Sequence, residues 1–419
     1  MVEFEMIKSL LRQGERDVER LINWLGATDF TTAPASTRFH GNYEGGLMDH
    51  SFHVYQRLVQ LATSGIFPQA APDAQSLAIT AVCHDLCKVN FYQKSTKAVK
   101  ENGIWVEKPI YVIDEKMPLG HGEKSVIILS RLVKLTAAEM MAIRWHMGAF
   151  LCAQGSWEVE NAWMKREPNE FPLAVALHMA DAIASRFDDA MDGTEPSQYA
   201  IGKVTATAPE PIPADIVNWS RENCFGYIDA CSDGSLDPCS LAFNTMRSLI
   251  GEASENNVRN GSDPASDRGF GACPGGLKKY VCYMTYYLRA LNALLGVQLS
   301  ERNILVCGTL AGLGRAAKWQ PQIRHRKAQD GSWEDYTVYL PEDKDFGAPF
   351  DGPIGQRGAL WANALMDGKA DNEELIALMY IEGAHGTLDK GNVGKVFDEH
   401  PMAFLTHLAH LASAFGSNY

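Results

Sequence analysis

The chain repeats itself, and an internal repeat constrains a fold more than any other feature of a single sequence. PASTRFHGNYEGGL at 34–47 returns as PASDRGFGACPGGL at 264–277. Three more pairs follow in the same order: AITAVCHDLCKVNFYQ with LVCGTLAGLGRAAKWQ, GIWVEKPIYVIDE with GSWEDYTVYLPE, and FPLAVALHMADAIASRF with HPMAFLTHLAHLASAFG. The offset stays near 230 residues throughout. This order argues for a tandem duplication of one fold, which the 419 residues can accommodate.

Residues 1–190 read as one helical domain. Ile7, Leu10, Leu11, Val18, Leu21 and Ile22 fall on one face between Glu3 and Leu25. Leu47, His50, Val54, Leu58 and Leu61 step by three or four, so His50 projects from the inward face of a helix. A further helix is expected from Ser76 to Cys87, then GEKSVIILSRLVK, TAAEMMAIRWHM and FPLAVALHMADAIASRF. Between Phe91 and Pro118 the pattern is irregular, with IYVID a short strand at most. The expected fold class is therefore all-α. Residues 191–232, with the run TATAPEPIPAD, read as a linker, and 233–419 as the second copy.

The two copies part company at six positions. His50 is matched by Tyr280, His84 and Asp85 by Ala311 and Gly312, His121 by Ile354, His146 by Ile381, and Asp181 by His410. The first copy thus holds six imidazole and carboxylate donors, a set that suits Mn, Fe, Co, Ni, Zn or Mg; no cysteine belongs to it, unlike many structural zinc sites. His84 and Asp85 are adjacent, about 100° apart on a regular helix, so both can reach one cation only if it lies between two elements. The second copy keeps the scaffold without the donors.

The order H…HD…H…H…D resembles the HD-domain superfamily of metal-dependent phosphohydrolases over about residues 38–190. FHGNYEGGLMDH is similar to the opening motif of HD-domain 3′→5′ exoribonucleases. GHGEKS, AIRWHMG and ALHMADAIA look more like uncharacterised HD hydrolases of bacterial and phage genomes. The resemblance implies an HD-type helical bundle, duplicated and degenerate in its second half. It also implies one cation on His50, His84, Asp85 and Asp181, and a second on His121 and His146 with Asp85 bridging. A mononuclear site, with His121 and His146 as substrate contacts, is the other version. Two cations about 3.5–4 Å apart would hold a hydroxide for attack on phosphorus and polarise the phosphoryl oxygens.

Lys88 lies one turn past the pair, where an ammonium can meet a phosphate oxygen. Arg144 is a further catalytic candidate, and His40 and Glu123 are candidates for supporting the donors. Arg186 and Lys124 read more weakly. His53 reads as packing or support for the donors, and Tyr43 and Tyr92 as core aromatics. His178 has His407 as counterpart in the copy without donors, so a structural role is expected. Cys83 and Cys87 read as buried structural thiols.

Three functions follow as expectations. The first is hydrolysis of a nucleotide or related phosphate ester; the second is 3′→5′ exonuclease or oligonucleotide phosphodiesterase activity. The third is a regulatory role in which the degenerate copy binds a partner. A net charge of −13 argues against broad capture of nucleic acid and favours a small phosphorylated substrate over a single-stranded oligonucleotide. The two copies are expected to pack as an intramolecular pseudo-dimer, with a homo-oligomer also open. Charges in MVEFEMIKSLLRQGERD, the absence of a long apolar run and nine scattered cysteines suggest a cytoplasmic protein that does not enter the membrane.

Overall fold

The computed structural model describes residues 2–64, 66, 72–148, 172–190, 196–200, 276–316, 319–328, 330–341, 352–383 and 390–415. The chain divides into two compact units, Met1–Leu151 with Phe171–Glu210, and Cys152–Glu170 with Pro211–Tyr419. Apart from 196–200, the linker expected at 191–232 lies outside the described residues. Among the described residues no helix is long and apolar enough to cross a membrane.

The first unit contains α1 (Phe4–Leu11), α2 (Glu19–Ala27), α3 (Gly46–Thr63), α4 (Ala74–Cys83), β1 (Tyr92–Glu101), β2 (Ile104–Ile113), α5 (His121–Ser130), α6 (Ala137–Trp145) and α7 (Pro172–Ile183). The N-terminal face is split into α1 and α2. Their turn is fastened by buried Gln75, whose amide donates to Leu11 O at 2.8 Å and Arg16 O at 3.1 Å. Ile7, Leu11, Leu21, Ile22 and Leu25 then pack with Leu47, Ile79, Val82 and Leu86 in one apolar cluster. That cluster backs the donor-bearing segments.

The all-α expectation is overturned. The stretch 92–113, read as irregular except for a short strand at IYVID, is an antiparallel ribbon in register from Tyr92↔Ile113 to Glu101↔Ile104, with Ile110–Ile113 closing its second strand. Its two-residue turn is Asn102-Gly103, both at positive φ (49° and 85°), the pairing that matches the twist of a tight hairpin. Both faces of most of the ribbon meet solvent, so YQKSTKAVKE shows none of the apolar alternation that betrays a half-buried strand. The dipeptide Asn-Gly was the available signal. A second ribbon in the second unit makes the fold mixed, helices with one two-stranded sheet in each unit.

The second unit contains α8 (Gly276–Leu295), α9 (Glu301–Leu310), β3 (Trp319–Lys327), β4 (Trp333–Pro341), α10 (Ile354–Leu365), α11 (Asn372–Met379), α12 (Val393–Glu399) and α13 (Pro401–Phe415). Its order from α8 follows that from α3. His121 and Ile354 each open a helix, as do Pro172 and Pro401. Capping boxes start α6 (Thr136 with Glu139) and α11 (Asp371 with Glu374). His178 Nδ1 donates to His146 O at 2.5 Å, and His407 Nδ1 to Ile381 O at 2.8 Å. His178 and His407 thus make the same backbone contact in the two units.

Candidate metal centre

Helix α4 stops at Cys83, short of the expected Cys87. His84 keeps helical angles as the C-cap, Asp85 swings to φ −107°, ψ 24°, and Leu86–Lys88 form a short turn. Ending the helix between the two donors lets neighbouring side chains aim at one point, which a continuous helix forbids. His50 comes from α3, His121 from the first residue of α5, His146 from the C-cap of α6 and Asp181 from α7.

All six converge. His50 Nε2 lies 3.2 Å from His84 Nε2, 3.3 Å from Asp181 Oδ1 and 3.6 Å from Asp85 Oδ2. His84 Nε2 is 3.4 Å from the same Asp85 oxygen. The other oxygen, Oδ1, is 2.7 Å from His121 Nε2 and 3.5 Å from His146 Nε2. The Asp85 carboxylate therefore stands between two groups, one oxygen toward each.

Second contacts fix which ring nitrogen faces inward. Carbonyl oxygens only accept, so His84 Nδ1 donates to Ala81 O and His146 Nδ1 to Ile143 O, each at 2.7 Å. His50 Nδ1 donates to Asp189 Oδ2 at 2.7 Å. All three rings then turn Nε2 to the centre, as metal-binding histidines held by an outer carboxylate or carbonyl do. His146 Nε2 is buried with no hydrogen-bond partner. A buried imidazole nitrogen left unsatisfied costs free energy, which a cation at that point would recover. These buried His/Asp clusters can hold a metal ion, and among the described residues every such cluster lies between His40 and Asp189.

Burial and mutual attraction compete at these groups. Burial opposes ionisation of Asp85 and Asp181. Lys88, His84 and His121 nevertheless hold Asp85 well below the carboxylate range, and His50 does the same for Asp181. Burial would discharge His50, but Asp189 and Asp181 outweigh it and raise its pKa to about 10. His121 rises to about 10 as well, burial being overcome by Asp85. His146 goes the other way, lowered by burial. Lys88 Nζ sits 2.6 Å from Asp85 Oδ2, and that carboxylate keeps it charged despite burial.

The remaining expectations divide. Lys88 is at the centre. His40 lies beside it, its ring 4.8 Å from that of His50 and its Nε2 buried without a hydrogen-bond partner. Burial and the neighbouring charges of His50 and Lys88 lower its pKa to about 4. Arg144 and Glu123 are ion-paired to each other, and the Arg144 guanidinium lies 4.3 Å from the Trp145 ring centroid. Their charges are spent on fastening α5 to α6. Lys124 pairs with Glu115, and Tyr43 donates to Asp49 at 3.0 Å.

Asp189 escaped sequence reading. It follows a π-helical turn, Ala184–Asp188, that continues α7 and carries the carboxylate back to His50 and His53, each 2.7 Å away. The doublet Asp188-Asp189 after a helix was its only trace; Asp188 makes a buried two-point contact with Arg57. Cys87 has a contact beyond packing, its Sγ 3.1 Å from His121 Nδ1.

At the matching place in the second unit, Tyr280 Oη meets His410 Nδ1 at 2.9 Å. Arg315, which stands where the first copy has Lys88, is buried, ion-paired to Glu382, and 5.1 Å from the Tyr280 ring centroid. Comparison of the chain with protein-family models, with curated proteins and with solved structures gives no match.

Proposed function

We propose that the first unit is a divalent-metal phosphohydrolase acting on a nucleotide or related phosphate ester. The observation that carries the reading is the Asp85 carboxylate, shared between His50–His84–Asp181 on one side and His121–His146 on the other. In this reading His50, His84, Asp85 and Asp181 hold one cation, and Asp85, His121 and His146 hold a second. Divalent cations there would supply a water of near-neutral pKa and neutralise charge on phosphoryl oxygens.

The other residues serve that centre. Asp189 orients His50 through Nδ1 and keeps Nε2 inward. Lys88, released from Asp85 when a cation takes that carboxylate, has its ammonium within reach of a phosphate oxygen. His40, beside His50 with an unengaged buried nitrogen, can donate to the same substrate. The opening motif FHGNYEGGLMDH favours a second reading, phosphodiester cleavage in an oligonucleotide.

The test combines metal analysis of the purified chain with phosphate release from a nucleotide panel and shortening of labelled oligonucleotides. Phosphate release is expected, and Asp85→Ala should remove bound metal and activity together. Turnover retained in Asp85→Ala would refute the assignment. Shortened oligonucleotides without phosphate release would transfer it to the diesterase reading.

A further inference from the structure

Apart from Tyr92 at its base, which borders Lys88 and Asp85, the β1–β2 ribbon stands away from the donors, and its composition is unusual for a strand pair standing in water. It leaves the first unit between two donor-bearing segments, after Lys88 and before His121. At about 3.3 Å per residue its ten-residue strands reach roughly 30 Å. Isolated two-stranded ribbons are marginal in water, yet one is present in each unit, and only the first unit kept its donors.

At the tip, Lys100 pairs across the strands with Trp105, and directly paired residues share a face. Trp105 is 68% exposed and its neighbour Ile104 69%. The second ribbon repeats the device, Lys327 opposite Trp333, with that indole 73% exposed. Edge lysines guard ribbons against strand pairing; an indole left in water does not, and its retention in both copies needs another reason. On the face of Trp105, which also carries Glu107, Lys94 is paired to Glu44 while Lys100 is exposed without an acidic partner among the described residues; Lys97 and Lys108 lie on the other face.

We propose that the tip of the β1–β2 ribbon docks single-stranded nucleic acid, a base stacking on Trp105 and a phosphate meeting Lys100. A stable contact with another protein buries about 800 Å² on each partner, far more than one indole flanked by two aliphatic side chains offers. A single strand asks for what is present: one aromatic face for a base and a cation beside it. This goes beyond the phosphohydrolase reading and is tested apart from it.

The full chain, kept in chelator so that metal-dependent cleavage cannot occur, is titrated against fluorescein-labelled single-stranded DNA and RNA of about twelve nucleotides. Binding read by anisotropy, with quenching of tryptophan fluorescence, is expected. Trp105→Ala should weaken it about tenfold and Trp105→Phe should restore most of it. Lys100→Glu should weaken it and flatten the dependence on salt. Circular dichroism of each variant should match the parent. No binding of either strand at low salt, or equal affinity in Trp105→Ala, would overturn the proposal. So would concentration-dependent self-association that Trp105→Ala abolishes, which would give the tip to a second copy of the chain.

Discussion

At the scale of single residues the centre is a matter of proton bookkeeping. Ordinary histidines titrate near 6.5, whereas His50 and His121 without metal hold their protons to about pH 10. Raised values stabilise the fold fully below about pH 6.5, and that stabilisation is lost as pH climbs through about 10. Denaturant midpoints of chelated protein should therefore fall across this window. Cation binding must expel both protons, so affinity should rise over the same range. Calorimetry in two buffers of different ionisation enthalpy counts the protons, and a count of zero would contradict the arrangement. Asp189→Asn should lower metal affinity about 10–100-fold while leaving the six donors in place, read by competition with a chelating dye. The six donors were legible because their order along the chain survives folding. Asp189 was not, because its placement depends on how a helix unwinds at its end. Nor was the mutual pairing of Arg144 and Glu123, since charge alone does not say which way a side chain turns.

At the scale of elements, glycine decides how closely the donor-bearing helices approach. A Cβ added to Gly122 would collide with the carbonyl of Arg144, and one added to Gly355 with that of Met379. The crossing of α5 on α6 is thus as tight as that of α10 on α11. Gly122→Ala should cost about 1–3 kcal/mol by overpacking, and it should weaken metal binding by shifting His121 one residue away. The matching Gly355→Ala should cost stability without touching metal content. Glu139 is buried, bonded to Thr136 N at 2.7 Å, to Ser76 and to Arg16. Glu139→Ala strands the inner end of Arg16 and should destabilise the first unit by about 3 kcal/mol in chemical denaturation. Helix positions were legible from apolar spacing. Of the ribbons only the IYVID end was, because an element exposed on both faces has no burial to imprint on its sequence. The early stop of α4 was equally hidden, since the apolar period runs on through Leu86.

At the scale of the whole molecule the two units should answer metal differently. A cation at a hundred times its dissociation constant stabilises its binding state by about 2.7 kcal/mol. Hydrogen exchange followed by mass spectrometry should therefore slow in α3, α4 and α7 when metal is added, while α8, α9 and α13 keep their rates. Equal slowing in both would show that the second unit binds metal too. The repeat itself was legible from sequence. So were the residues that stand in the donors' places; the Arg315–Glu382 pair was not, because Glu382 comes from just past α11, in line with no ionisable residue of the first copy. Arg315 and Glu382 are linked by an ion pair where the other unit gathers ligands. A guanidinium is covalently part of the chain: it is never diluted, chelated or outcompeted by a neighbouring ion. The second unit therefore keeps here, as the first does with Lys88, a cation fixed in the chain from synthesis onward. Only the first adds six donors to it, so under the proposed function a shortage of metal would silence one half of the chain and leave the other half untouched.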